Sequence, residues 1–206
     1  MFERITPIVK NILILTVGVF IIQSIFKDQR GDVVAHYLSL HDFRSEDFYA
    51  WQVLSNMFIH ANFGHLFNNM LLLFFIGPLL EQRLGDRKFM FIYFFSGIFA
   101  SLCMMGIYGY LLGAGNWSAL GASGATVGIL VATAAMYPNM EVYLYFLFPI
   151  KLKWIALFTV IMDAIGAVNF SGPSSGDDHI GHIAHLGGAV FSFLLILYWK
   201  KKGEVY

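Results

Sequence analysis

The chain predicts an all-α, polytopic membrane bundle of six spans, and three observations carry that prediction. Of its 206 residues 58% are hydrophobic and only 13% charged, with a mean hydropathy of +0.67, far from the roughly 25% charged residues of soluble domains. Six apolar stretches each approach the ~20 residues needed to cross ~30 Å of hydrocarbon. The basic residues are also sorted: with the N-terminus inside, every Lys and Arg except Lys27, Arg30 and Arg44 falls on the cytoplasmic side, as the positive-inside rule demands. Both termini are therefore expected in the cytoplasm, and a formal net charge of zero offers nothing to nucleic acid.

The expected spans are about 8–26, 57–80, 89–112, 119–137, 150–168 and 181–199, forming one domain over 1–206. Arg4 and Lys10 precede the first apolar stretch in the manner of a signal peptide, but no A-x-A site follows and Lys27-Asp28 closes it, so it reads as an anchor. The connection 27–56 carries Tyr37, Tyr49, Trp51 and several charges and should lie on the membrane surface. Cys103 has no second cysteine to pair with and reads as a packing or lipid-facing residue. The fourth stretch is stopped by Pro138-Asn139. If its helix proper starts at Ser123 it is too short to span, and Leu111–Asn116 becomes an irregular connection dipping into the membrane, which is tolerated only against a protected cavity. Ser171–Gly176 reads equally as a mobile cap or a plain linker.

Ser123 lies in Leu120-Gly121-Ala122-Ser123-Gly124-Ala125, and His185 lies in the last stretch. Serine and imidazole are the minimum pair for nucleophilic acyl transfer, and polar groups inside a span are costly without a task. Counted from the cytoplasmic ends, Ser123 is fourteen residues before Tyr137, His185 fourteen before Trp199, and His65 fifteen before Leu80. At 1.5 Å per residue all three share a level about 21–23 Å above the inner boundary, so water must reach them through a cavity. A serine opening a helix has free backbone N–H groups and the positive dipole end beside it.

Gly124 and Gly128 on one helix, and Ala184, Gly188 and Ser192 on the other, form small-residue faces that would bring Ser123 to His185. Taken alone, such glycines are equally ordinary packing residues of a bundle without chemistry. His65 and Asn69 share a helix face at i, i+4. With the Ser123 amide they could hold a tetrahedral oxyanion, the plain alternative being that His65, Asn68 and Asn69 only glue helices together.

These residues resemble the rhomboid family of intramembrane serine proteases over nearly the whole chain. Its G-x-S-G reads Gly121-Ala122-Ser123-Gly124, and its His-plus-Asn pattern reads His65-Leu66-Phe67-Asn68-Asn69. Its H-x-G-G reads His185-Leu186-Gly187-Gly188, and its E-x-R-x-G reads Glu81-Gln82-Arg83-Leu84-Gly85. The resemblance implies a six-helix rhomboid-like bundle with Ser123 as nucleophile and His185 as general base. It further implies an oxyanion hole of His65, Asn69 and the Ser123 amide, Gly121, Gly124 and Gly188 in supporting places, and His60 as a structural or loop-tethering residue. Two positions depart from the family pattern: Trp51-Gln52 stands for the usual Trp-Arg, and Val127 stands where a tyrosine commonly supports the catalytic histidine.

Other readings remain open. Asp163 in the fifth span could orient the imidazole, but the resemblance assigns it no catalytic part, and structural pairing or contact with a water cavity is the preferred reading. His182, one turn above the serine level, is an alternative base. His179, His182 and His185, with Asp177 and Asp178 nearby, could form a metal mouth in a transporter or metalloprotease. Steps of three residues rotate about −60° each, so the outer two histidines diverge by ~120°; no metal or organic cofactor is expected. A non-proteolytic rhomboid-like binder is the third class, although relatives of that kind typically lack the serine or histidine. The expected partners are the bilayer and membrane proteins whose transmembrane segments enter sideways past span five. Small, helix-destabilising residues near their outer ends should favour cleavage. The compact chain suggests a bacterial plasma membrane by analogy, and oligomeric state is left undetermined.

Overall fold

The computed structural model describes residues 5–28, 31–111, 113, 117–144, 148–168 and 178–205. Helix α1 spans Pro7–Ile25, with Pro at the position where its missing N–H is harmless. The first turn of α1 is capped from afar. Glu81 accepts the Ile8 and Val9 N–H groups at 3.0 and 2.8 Å and the Thr6 hydroxyl at 2.5 Å, placing a buried carboxylate at the positive end of the helix. That contact fixes α1 to the helix carrying the Glu81-x-Arg83 motif.

The surface connection folds as a ribbon of β1 (Lys27–Asp28) and β2 (Gly31–Asp32), helix α2 (Val33–Leu38), strand β3 (Leu40–His41) and helix α3 (Gln52–Ser55). Gln52 is fully buried and uses its whole amide. Its Oε1 accepts the His41 and Tyr49 N–H groups, and its Nε2 donates to the Tyr37 and Asp47 carbonyls. The position that departs from the family's Trp-Arg is thus itself a loop anchor. Trp51 stacks on Tyr49 at 4.5 Å and donates to the Tyr37 carbonyl.

A single 3₁₀ turn, Asn56–Phe58, precedes α4 (Phe63–Leu84). The second helix therefore starts at 63 rather than 57, because Asn62 caps it by accepting the His65 N–H at 2.9 Å. It runs past 80 to Gly85, whose φ of +77° suits a residue without Cβ. Helix α5 covers Asp86–Met104 and continues as a π-helical segment, Met105–Leu111. Leu112 and 114–116, most of the expected re-entrant connection, lie outside the described residues, as do 171–176 of the expected cap. Strand β4 (Ser118–Ala119) pairs antiparallel with β3, Leu40 opposite Ala119. Helix α6 is Ser123–Met136, the ribbon β5 (Glu141–Leu144) and β6 (Phe148–Lys151) follows, and α7 (Leu152–Val168) and α8 (Asp178–Lys201) complete the chain.

The architecture is an all-α membrane bundle. Among the described residues four helices are long and apolar enough to cross a bilayer, while α6 is shorter and α7 has 17 residues. Helix α6 occupies the centre, touching α4, α5, α7 and α8, and all but two of its residues are buried. Large apolar side chains such as Ile14, Phe95, Phe158 and Leu194 point outward from α1, α5, α7 and α8, as expected when the solvent is lipid. Glycines set the close approaches. A Cβ on Gly188 would strike the Gly124 carbonyl, and one on Gly128 would lie 2.6 Å from Ser192 Oγ, so α6 and α8 meet backbone to backbone.

Candidate active site

Ser123 opens α6 after a turn pinned at three points. β3–β4 pairing holds 118–119, the Gly121 N–H donates to the Asn56 carbonyl at 2.9 Å, and the Ala122 N–H donates to His60 Nε2 at 3.4 Å. Gly121 is required twice: its φ is +120°, and a Cβ there would lie 2.6 Å from His65 Cε1. With Ala122 as the N-cap, the amides of Ser123, Gly124 and Ala125 have no intrahelical acceptor. Ser123 is half-buried between two buried neighbours.

His185 reaches the same place from α8. The Gly124–Gly188 contact sets the separation of α6 and α8 one residue from the hydroxyl and three from the imidazole. Ser123, His65, His182 and His185, with Asn56 and Gly121, line one cavity of about 630 Å³. The residues singled out from opposite parts of the sequence thus converge. Among the described residues the Ser123 hydroxyl makes no hydrogen bond, and such contacts commonly tighten only when substrate is bound.

His60 is fully buried. Its backbone exchanges hydrogen bonds with the Gln23 side chain, and its ring meets His65 edge-on at 5.0 Å. Asn69 stands apart from the expected set. It does not line the cavity; its Nδ2 donates to the His65 carbonyl and its Oδ1 accepts from Thr126 Oγ1, both at 3.0 Å. The amide is spent on joining α4 to α6, because Thr126, on the next face of α6, offers a hydroxyl there.

The residue that sequence reasoning undervalued is Asp163. It is buried at 5% exposure on α7, and its Oδ1 lies 2.7 Å from His182 Nδ1 and 2.9 Å from His185 Nδ1. A signal existed: twelve residues beyond Lys151, Asp163 stands about 18 Å up its helix, within one turn of the serine level. The three donor atoms fall within 4.8 Å of one another, a set whose chemistry would suit zinc. Of the alternative His179–His182–His185 mouth, Asp177 and the side chains of Asp178 and His179 lie outside the described residues.

A family model described as the Rhomboid domain matches residues 47–202, and the chain belongs to the rhomboid family. It is similar to RHOMBOID-like protein 12, mitochondrial, of Arabidopsis thaliana, with 25% identity covering 88% of this chain and 55% of the relative. It is similar also to Rhomboid-like protein 11, chloroplastic, of the same plant, with 28% identity covering 90% and 62%. Rhomboid-like protease 3 of Toxoplasma gondii is 30% identical, covering 77% and 55%. The chain thus spans little more than half the length of these relatives. Two of them carry organellar names, so they lend no support to the expected bacterial plasma membrane; an integral membrane protein is what the helices and the family establish.

Proposed function

We propose that the chain is an intramembrane serine endopeptidase that cleaves transmembrane segments of membrane proteins near their outer ends. The observation that carries this reading is the convergence of Ser123, at the start of α6, with His185 on one cavity. In the proposed reaction His185 takes the Ser123 proton as Oγ bonds to the scissile carbonyl carbon. The oxyanion is held by the Ser123 amide and the His65 ring, while Asn69 secures the His65 turn to α6 and joins the donors only by releasing the His65 carbonyl. Collapse of the intermediate breaks the C–N bond, the proton passes from His185 to the leaving amine, and water then hydrolyses the acyl-enzyme by the same steps. Helix α7, which buries only Leu152, Ala156 and Asp163, is the wall past which the client enters.

Labelling of the purified protein with a serine-directed fluorophosphonate tests the assignment. The expected result is chelator-insensitive labelling of the wild type, lost in Ser123→Ala and reduced at least ~10³-fold in His185→Ala. Labelling that survives Ser123→Ala overturns the reading. Absence of labelling and of peptide cleavage in the wild type favours a non-proteolytic binder of membrane proteins.

A further inference from the structure

A carboxylate on a lipid-facing helix is costly unless it is paired, and Asp163 is paired in an informative way. One oxygen accepts from the Nδ1 atoms of two imidazoles, His182 and His185. The other, Oδ2, is buried without a hydrogen-bond partner among the described residues. Since an ionised carboxylate only accepts, each ring carries its proton on Nδ1, and a neutral ring then has its lone pair on Nε2. We propose that Asp163 is the positioning residue of the Ser123–His185 pair. It fixes the His185 tautomer that can take the serine proton and stabilises the imidazolium that results, at the site where Val127 offers no hydroxyl.

This inference rests on the reading of Ser123 and His185 given above. When the serine proton arrives on His185 Nε2, the Nδ1 proton stays in place and the carboxylate remains ionised. The imidazolium charge develops 2.9 Å from Asp163, a carboxylate only 5% exposed, where burial weakens the screening of the attraction. His182 serves as the second donor that keeps the carboxylate from swinging away. Its ring sits against Gly166, where a Cβ would overlap it, so α7 is shaped to receive it. The distances favour proton bridges over a metal: two ligands of one tetrahedral zinc stand roughly 3.3 Å apart, farther than the observed 2.7 and 2.9 Å.

The test uses the full chain in micelles and a fluorophosphonate reporter, with labelling rate followed against concentration and pH. Asp163→Asn should lower the maximal rate about 10²–10⁴-fold while leaving the half-saturating reporter concentration within about twofold. It should also move the acid limb of the profile to lower pH, because removal of the carboxylate destabilises imidazolium. Among the described residues the other titratable groups near the pair are His182 on α8 and His65 on α4, both lining the cavity, His60 against His65 and Cys103 of α5 against Gly187, while α6 contributes none. Among the described residues only His182 shares the carboxylate, so His182→Gln should lower the rate far less than Asp163→Asn does and leave the limb in place. Wild-type rate and limb in Asp163→Asn, with Ser123→Ala and His185→Ala unlabelled, overturn this proposal and leave the protease reading standing. Labelling that persists in Ser123→Ala overturns the protease reading instead. Independently of the stability of Asp163→Asn, ¹⁵N spectra of histidine-labelled Ser123→Ala protein decide the tautomer: a protonated Nδ1 on neutral His185 supports the proposal, and a protonated Nε2 overturns it.

Discussion

Helix α8 has two very different neighbours. Against α6 it presents Gly188, Ala189 and Ser192; the two backbones touch at Gly124 and Gly188, and Gly128 lies against the Ser192 hydroxyl. Against α7 it presents two imidazoles, met by one carboxylate and one glycine. From Gly188 to Ser192, and along α6, the first seam has no titratable group, and the Gly124–Gly188 contact leaves no room for a Cβ. Helix α7 buries only Leu152, Ala156 and Asp163 against all its neighbours and leaves Trp154, Phe158, Ile161 and Ile165 facing outward. The contrast teaches that the two seams divide the work: glycine contact sets the distance between Ser123 and His185, while the polar seam sets the state of the imidazole and leaves α7 the easier helix to displace.

The sharpest way to break this comparison is Gly188→Val. Its side chain would strike the Gly124 carbonyl, which is backbone and cannot yield, so a loss of about 3 kcal/mol or more is expected together with loss of labelling. Thermal unfolding in micelles measures it. Gly166→Ala makes the corresponding change on the α7 side. There the obstacle is the His182 ring, which can turn aside, so labelling should fall about tenfold with the melting temperature lowered by only a few degrees. A Gly166→Ala protein as unstable as Gly188→Val would erase the distinction. Phe158→Ala, at an outward position of 65% exposure, should change stability by no more than about 0.5 kcal/mol.

The smallest effect concerns pH and the surface loop. Hydrogen bonding to Arg44 holds the Asp42 carboxyl below its ordinary value. A lowered folded-state pKa means that the stabilisation is fully present above about pH 4 and is lost as pH falls through the folded value. Limited proteolysis of 40–50 should therefore rise below about pH 4, while the α6–α8 seam, without titratable groups along α6 or from Gly188 to Ser192, stays closed. Equal loosening of both would show that the loop and the bundle are not separate in this respect.

Much of the site was legible before folding. The Pro138 stop ends α6 close to the expected 137, whereas its start at Ser123 was only a conditional reading within the expected span 119–137, and the α6–α8 contact follows from glycines spaced by four. The beginning of α4 was misplaced because the apolar run from Met57 to Ile59 continues the hydropathy signal through a 3₁₀ turn, whereas the Asn62 cap is a local hydrogen bond that hydropathy does not register. Gln52 carried the sign of a missing anchor, yet its amide makes four loop hydrogen bonds.

The sequence by itself determined that this chain lives in lipid, that it belongs among the rhomboids, and that a serine, two histidines and several glycines share one level. Those properties rest on composition, helical period and depth, which are local and additive along the chain. Tertiary structure alone decided that Asp163 meets both His182 and His185, that Asn69 turns to Thr126, and that Glu81 caps α1. Each is a directional bond between residues 19 to 75 positions apart, fixed by which rotamers face one another once the helices have packed.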